Sequence, residues 1–144
     1  MSVTPSTAAS DSAAADISRA TIEAAATRIA PFIIETPLLE SPRLNDKLGI
    51  RLLVKAECLQ HTGSFKLRGA SNAVWSLDDT VKHVVAFSSG NHAQGVARAA
   101  ASRGLQATIV MPKDSPAGKI EGTKAYGGTV ILYDRYTESR EEIG

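Results

Sequence analysis

"HVVAFSSGNHAQGVARAAASRGLQATIVM", residues 83–111, is the stretch whose reading decides the fold. An apolar run, "HVVAF", passes through two serines and a glycine into alanine-rich "NHAQGVARAAASRG". A second apolar run, "ATIVM", follows and is stopped by Pro112. Short apolar runs bounded by turn formers suit strands buried on both faces. The stretch between them suits a helix, with Asn91 as its cap and Gly104 as its stop. Strand, helix and strand in this order form a βαβ unit with parallel strands.

The same rhythm continues outward. Downstream, "SPAGKIEGTKAYGG" predicts a helix with proline near its start and two internal glycines, and "TVILYD" predicts the next strand. Near the C-terminus, Thr137 has the character of an N-cap, with Glu138, Glu141 and Glu142 suited to an early helix. Upstream, "TGSFKLRGA", residues 62–70, reads as a turn ending in a cap at Ser64. A helix follows in which Leu67, Ala70, Val74 and Leu77 share one face. Before it, "IRLLVKAE" predicts a strand and "ETPLLESPRLND", with two prolines, predicts irregular chain. From Asp16 to Ala30 an alanine-rich amphipathic helix is expected, with Ile17, Ala20, Ile22, Ala24 and Ile29 on its apolar stripe and Pro31 closing it. The fold class is therefore α/β, built from parallel βαβ units. Such sheets take their ligands at the carboxyl ends of the strands.

Composition narrows the function classes. A net charge of +1 on 144 residues is too balanced to indicate a nucleic-acid partner. The single cysteine, Cys58, rules out an internal disulfide and fits a reducing compartment. No apolar run approaches membrane-spanning length, and the start lacks the plan of a secretory signal. Cytoplasm is the default expectation. The opening "MSVTPSTAASDSAAAD" predicts a disordered tail over 1–16.

Two places carry candidate chemistry. Ser88, Ser89 and Gly90 precede a helix, where free N–H groups and the helix dipole suit a carboxylate or phosphate; an ordinary loop with Asn91 as its cap is the competing reading. Lys66 falls in the first turn of its helix, where a cation is disfavoured. A solvated side chain is the bland reading. The sharper one is a lysine wanted as a neutral amine, ready for carbonyl chemistry, with Phe65 and Leu67 making partial burial plausible. His61, His83 and His92 have no metal-ligand spacing, so no metal site is expected. Cys58 has no paired base, Trp75 and Tyr126 read as packing, and Lys113, Lys119 and Lys124 read as a solvated face.

Together, "TGSFKLRGA" and "SSGNHAQGVA" resemble the fold type II pyridoxal-phosphate enzymes, in particular the threonine/serine dehydratase and serine racemase branch. The resemblance extends through "TPLLESPRLNDKLGIRLLVKAECLQ" and "ATIVMPKDSPAGK". Cysteine and threonine synthases typically carry threonine where this chain has His92. The resemblance implies the N-terminal portion of a tryptophan synthase β-like architecture. Residues 17–78 would begin the large cofactor-binding domain, and 79–144 would form an incomplete small domain.

It implies further that Lys66 holds pyridoxal 5'-phosphate as an internal aldimine and serves as base, with Phe65 against the cofactor and Asn91 bonded to its ring oxygen. Ser88, Ser89, Gly90, Asn91 and His92 would hold the substrate carboxylate, and Ser89 would act as acid/base on the opposite face in racemase-like members. The implied reaction is dehydration of L-threonine or L-serine to a 2-oxo acid and ammonia, with serine racemisation and 3-hydroxyaspartate elimination as alternatives. A homo-oligomer acting on a small amino acid is the implied assembly. The family's glycine-rich phosphate loop and its partner for the pyridine nitrogen belong to sequence not present here. An inactive fragment or interaction module is therefore the reading from another class.

Overall fold

The computed structural model describes residues 17–144, so the expected 1–16 tail lies outside the described residues. In chain order the elements are α1 (Arg19–Ile29), β1 (Leu38–Glu40), α2 (Pro42–Leu48), β2 (Leu53–Lys55), α3 (Lys66–Trp75), β3 (His83–Phe87), α4 (Asn91–Ser102), β4 (Gln106–Pro112), α5 (Ala117–Ala125), β5 (Thr129–Tyr133) and α6 (Arg140–Ile143). The three expected strands form a parallel sheet in the order β3-β4-β5, with Val84 opposite Ala107 and Ile109 opposite Val130. β4 is the central strand, and its Ile109, Val110 and Met111 are fully buried. None of the helices among the described residues is long and apolar enough to cross a membrane.

Helices α3, α4 and α5 run in one direction against one face of this sheet. The two ends of α3 show its alignment with α4. At the N-terminal end a Cβ added to Gly95 would lie 3.2 Å from the Lys66 carbonyl oxygen; at the C-terminal end Trp75 Nε1 donates to Ser102 Oγ at 3.3 Å. Glycine at 95 is thus what lets α4 approach the backbone of the Lys66 turn. The core between the layers joins Ala70 and Val74 of α3, Ala93, Val96, Ala99 and Ala100 of α4, and Ile109 and Met111 of β4. Alanine dominates α4 because the helix packs on both neighbours and on the sheet at short range. On the other sheet face Val85 and Phe87 remain about two-fifths exposed.

Several local expectations are corrected. "ETPLLESPRLND" is not irregular: Leu38–Glu40 pairs antiparallel with β2, Leu38 opposite Lys55, and Pro42 occupies the first turn of α2. β2 falls inside the expected strand "IRLLVKAE", whereas β1 is only three residues long and is held by a partner fifteen residues on, so no local period reveals it. Helix α1 starts behind Ser18, whose Oγ accepts from Thr21 N at 3.3 Å. Of its expected apolar stripe Ile29 alone is buried, whereas Ile17 and Ile22 are exposed. Thr137 lies in a turn, its N–H donating to Asp134 O, and Ser139 precedes α6. Trp75 packs as expected, stacked on Phe32 with ring centroids 4.1 Å apart.

Candidate active site

The carboxyl ends of β3, β4 and β5 and the N-termini of α3, α4 and α5 meet at one end of the molecule. Lys66 stands at the first of these helix starts. Leu67 beside it is buried in the core, but Lys66 itself is exposed and Phe65 is 58% exposed. The expected partial burial of the amine is therefore corrected: helical geometry sends the three side chains in different directions, and only Leu67 points inward. The Lys66 ammonium lies over the Phe65 ring, 4.8 Å from its centroid.

Ser64 does not cap α3. The chain already enters the helix in αR conformation at Phe65, so the extended entry that a side-chain cap needs is missing. The hydroxyls of Ser64 and Thr62 are instead buried without a hydrogen-bond partner among the described residues. Gly63 between them has φ +68, the left-handed conformation that glycine adopts without strain.

Arg68, two residues beyond Lys66, anchors this turn. Its guanidinium binds Glu57 through two bonds of 2.9 and 2.7 Å and reaches Ile34 O at 3.2 Å, while Thr36 Oγ1 donates to Glu57. The Arg68 bond holds the Glu57 carboxyl below its ordinary range. Arg68 has no role in the sequence reading; a second cation in the first turn of the same helix is the signal that could have found it.

The loop after β3 is tied down by different means. Ser88 Oγ accepts from Gly90 N at 3.3 Å and Ala93 N at 3.2 Å, so Ser88 supplies the cap expected of Asn91, which sits one position inside the helix. The N–H groups of Ser89, Asn91 and His92 have no acceptor among the described residues. The side chains of Ser89, Asn91 and His92 are exposed. Asn91 Oδ1 accepts a hydrogen bond from Lys119 Nζ, reaching across from the first turn of α5. Lys119 is half-buried and is corrected from the solvated face on which the sequence placed it.

Beside the serines opens a polar cleft of about 260 Å³ lined by Phe87, Ser88, Ser89, Tyr133, Arg135 and Arg140. Arg135 pairs with Asp114 at 2.9 Å and Arg140 with Glu141 at 2.7 Å, both on the surface. Exposed pairs of this kind contribute little and exchange readily for another anion. A larger cavity of about 500 Å³ lies against Arg98, Ala101 and Tyr126, toward the C-terminal ends of α4 and α5 and away from these groups. Among the described residues no three His, Cys, Asp or Glu side chains cluster as metal ligands.

Residues 29–144 match the family described as pyridoxal-phosphate dependent enzyme. The chain belongs to that family. It is 52% identical over 115 residues to an L-threo-3-hydroxyaspartate ammonia-lyase of Pseudomonas sp, a match that covers 78% of this chain and 36% of the relative. It resembles the structure of maize serine racemase with a TM-score of 0.81 and 47% identity, covering 86% of this chain and 38% of that one. It also resembles the structure of serine racemase from Dictyostelium discoideum, with a TM-score of 0.79, 41% identity and coverage of 85% and 40%. The chain thus spans little more than a third of the length of the curated relative, and its fold is the N-terminal part of the fold type II pyridoxal-phosphate architecture.

The donor set fits the aldehyde end of this cofactor. Lys66 offers an accessible primary amine unpaired with any carboxylate among the described residues, and Asn91 keeps its amide NH2 free. The orphaned hydroxyls of Thr62 and Ser64 lie in the turn leading to Lys66.

Proposed function

We propose that the protein of which these residues are part is a pyridoxal-phosphate-dependent ammonia-lyase of a β-hydroxy amino acid, with 3-hydroxyaspartate as the preferred substrate. The observation that carries this reading is the placement of Lys66 and the unpartnered N–H groups of Ser89, Asn91 and His92 at the carboxyl end of the sheet, with Arg135 and Arg140 lining the cleft beside Ser88 and Ser89. In this reading Lys66 anchors the cofactor and then takes the proton from the substrate α-carbon. The N–H groups of Ser89, Asn91 and His92, at the positive end of α4, hold the α-carboxylate. The cofactor, when bound, supplies the electron sink for the charge left at that carbon. Ser89 offers a hydroxyl near the same centre, where a second proton donor would permit racemisation as a minor reaction.

Substrate choice rests on the cleft. L-Threonine or L-serine needs nothing cationic beyond the carboxylate site, whereas 3-hydroxyaspartate brings a second carboxylate. Arg140 and Arg135 beside Ser88 and Ser89 suit that group, since a guanidinium binds carboxylate through paired bonds. The relative of Pseudomonas sp bears the same substrate in its name.

The test compares ammonia release from L-threo-3-hydroxyaspartate, L-threonine and L-serine by the intact polypeptide and its Arg140→Ala variant. Losing a charged hydrogen bond should lower kcat/KM for hydroxyaspartate by about 10- to 100-fold and leave threonine nearly unchanged. Threonine turned over more efficiently than hydroxyaspartate, with both substrates indifferent to Arg140, would reject the assignment.

A further inference from the structure

Lys119 touches the one amide that the site offers to a cofactor, and the contact has a direction. A lysine ammonium carries donors only, so the atom of Asn91 that faces it must be Oδ1. The two ends of an asparagine amide are nearly equal in size, and which way the group points is set by its partners. With Oδ1 held on the α5 side, Nδ2 is turned away from it and donates to no described residue.

The ammonium is itself held in place. Its second contact is Gln94 Oε1 at 3.4 Å, one turn along α4 from Asn91. Gln94 is buried, and its Nε2 presses on Gly122 of α5, where an added Cβ would lie only 2.0 Å away. Glycine at 122 therefore leaves room for the Gln94 amide, whose other end faces Lys119. Two amides of α4 receive one cation of α5. Helix starts disfavour a cation at either end of this contact, so the two amide oxygens are what retain it.

We infer that Lys119 is a positioning residue: by holding Asn91 Oδ1 it fixes the amide so that Nδ2, a donor, is presented to the ionised ring oxygen of pyridoxal phosphate. This rests on the proposed role of Asn91. Turned the other way, the amide would present an oxygen to an oxygen, and the cofactor would lose a bond and meet a repulsion. The lysine needs no contact with cofactor or substrate to have this effect.

The intact polypeptide, stripped of cofactor and titrated with pyridoxal phosphate, gives two readouts besides activity. These are the cofactor Kd and the ratio of the absorption bands of bound cofactor with its ring oxygen ionised and protonated. Lys119→Met should raise Kd by about tenfold and shift the ratio toward the protonated band. Lys119→Arg, which keeps donors at that point, should restore most of both. Should Lys119→Met fail to fold, Lys119→Gln, short of reach by one bond, takes its place.

The decisive comparison places the Lys119 change in an Asn91→Ala background. There it should alter neither readout, because the amide it orients is gone. An undiminished effect in that background would mean that Lys119 acts by its charge alone and would overturn the inference. So would a loss of thermal stability with Kd and band ratio intact, the mark of a simple tie between helices. If Asn91→Ala itself leaves both readouts unchanged, the proposed role of Asn91 fails and the inference with it. Intact binding in that single variant is what distinguishes this failure from the others.

Discussion

The two helix starts that carry the candidate site are held in opposite ways. At α4 the loop is secured by polar groups: its own Ser88 takes two N–H groups, and Lys119 of α5 donates to the Asn91 amide oxygen. At α3 the nearby hydroxyls of Thr62 and Ser64 have no partner among the described residues, and Lys66 reaches only the Phe65 ring. What fixes α3 is apolar and ionic: Leu67 sunk in the core, Gly95 against the Lys66 backbone, and Arg68 clamped on Glu57. The loop at α4, proposed to hold the substrate carboxylate, is therefore secured by hydrogen bonds, whereas Lys66 is placed by the packing beneath it and its own side chain is exposed.

The largest effect should follow from breaking the apolar support. Leu67→Ala removes a fully buried side chain and should cost about 2–5 kcal/mol in denaturant unfolding. Cofactor affinity should fall with it, since Lys66 is the next residue. A smaller loss is expected from the hydrogen-bonded start. Ser88→Ala should cost about 0.5–2 kcal/mol, the range for a lost helix cap, with exchange of the Gly90 and Ala93 amides speeding up. A Ser88→Ala variant as damaging as Leu67→Ala would erase the contrast between the two starts.

Much of this contrast could be read in the sequence, and some could not. The βαβ pattern and the places of Lys66 and Asn91 follow from apolar runs and glycine positions within a few residues of each other. Ser88 was legible in principle, being a cap-type residue just before a helix, but Asn91 competes for that role and only backbone conformation decides. The bond from Lys119 to Asn91 spans 28 residues and depends on how α5 packs on α4. Its one local sign is the one that singled out Lys66, a lysine in the first turn of a helix. The β1–β2 pair and the exposure of Lys66 are set by tertiary contacts that no local period encodes.

The smallest effect is the pH dependence of the ionic clamp. Glu57 has its pKa lowered chiefly by Arg68, from an ordinary value of 4.5. A carboxyl depressed in the folded state contributes stability that is fully present above its unfolded value and is lost as pH falls through the folded one. Stability should therefore decline below about pH 4.5 in part through this pair. Glu57→Gln should flatten that decline. An acid limb unchanged in slope would show that the clamp contributes nothing to holding α3.

The central claim is that Lys66 is the residue to which pyridoxal phosphate is joined. Reducing the cofactor-loaded, intact polypeptide with borohydride and mapping its peptides by mass tests this directly. The adduct should lie on the peptide that contains "GSFK", at Lys66, and should vanish in Lys66→Ala. An adduct on Lys55, Lys113 or Lys119 with Lys66 unmodified would contradict the account.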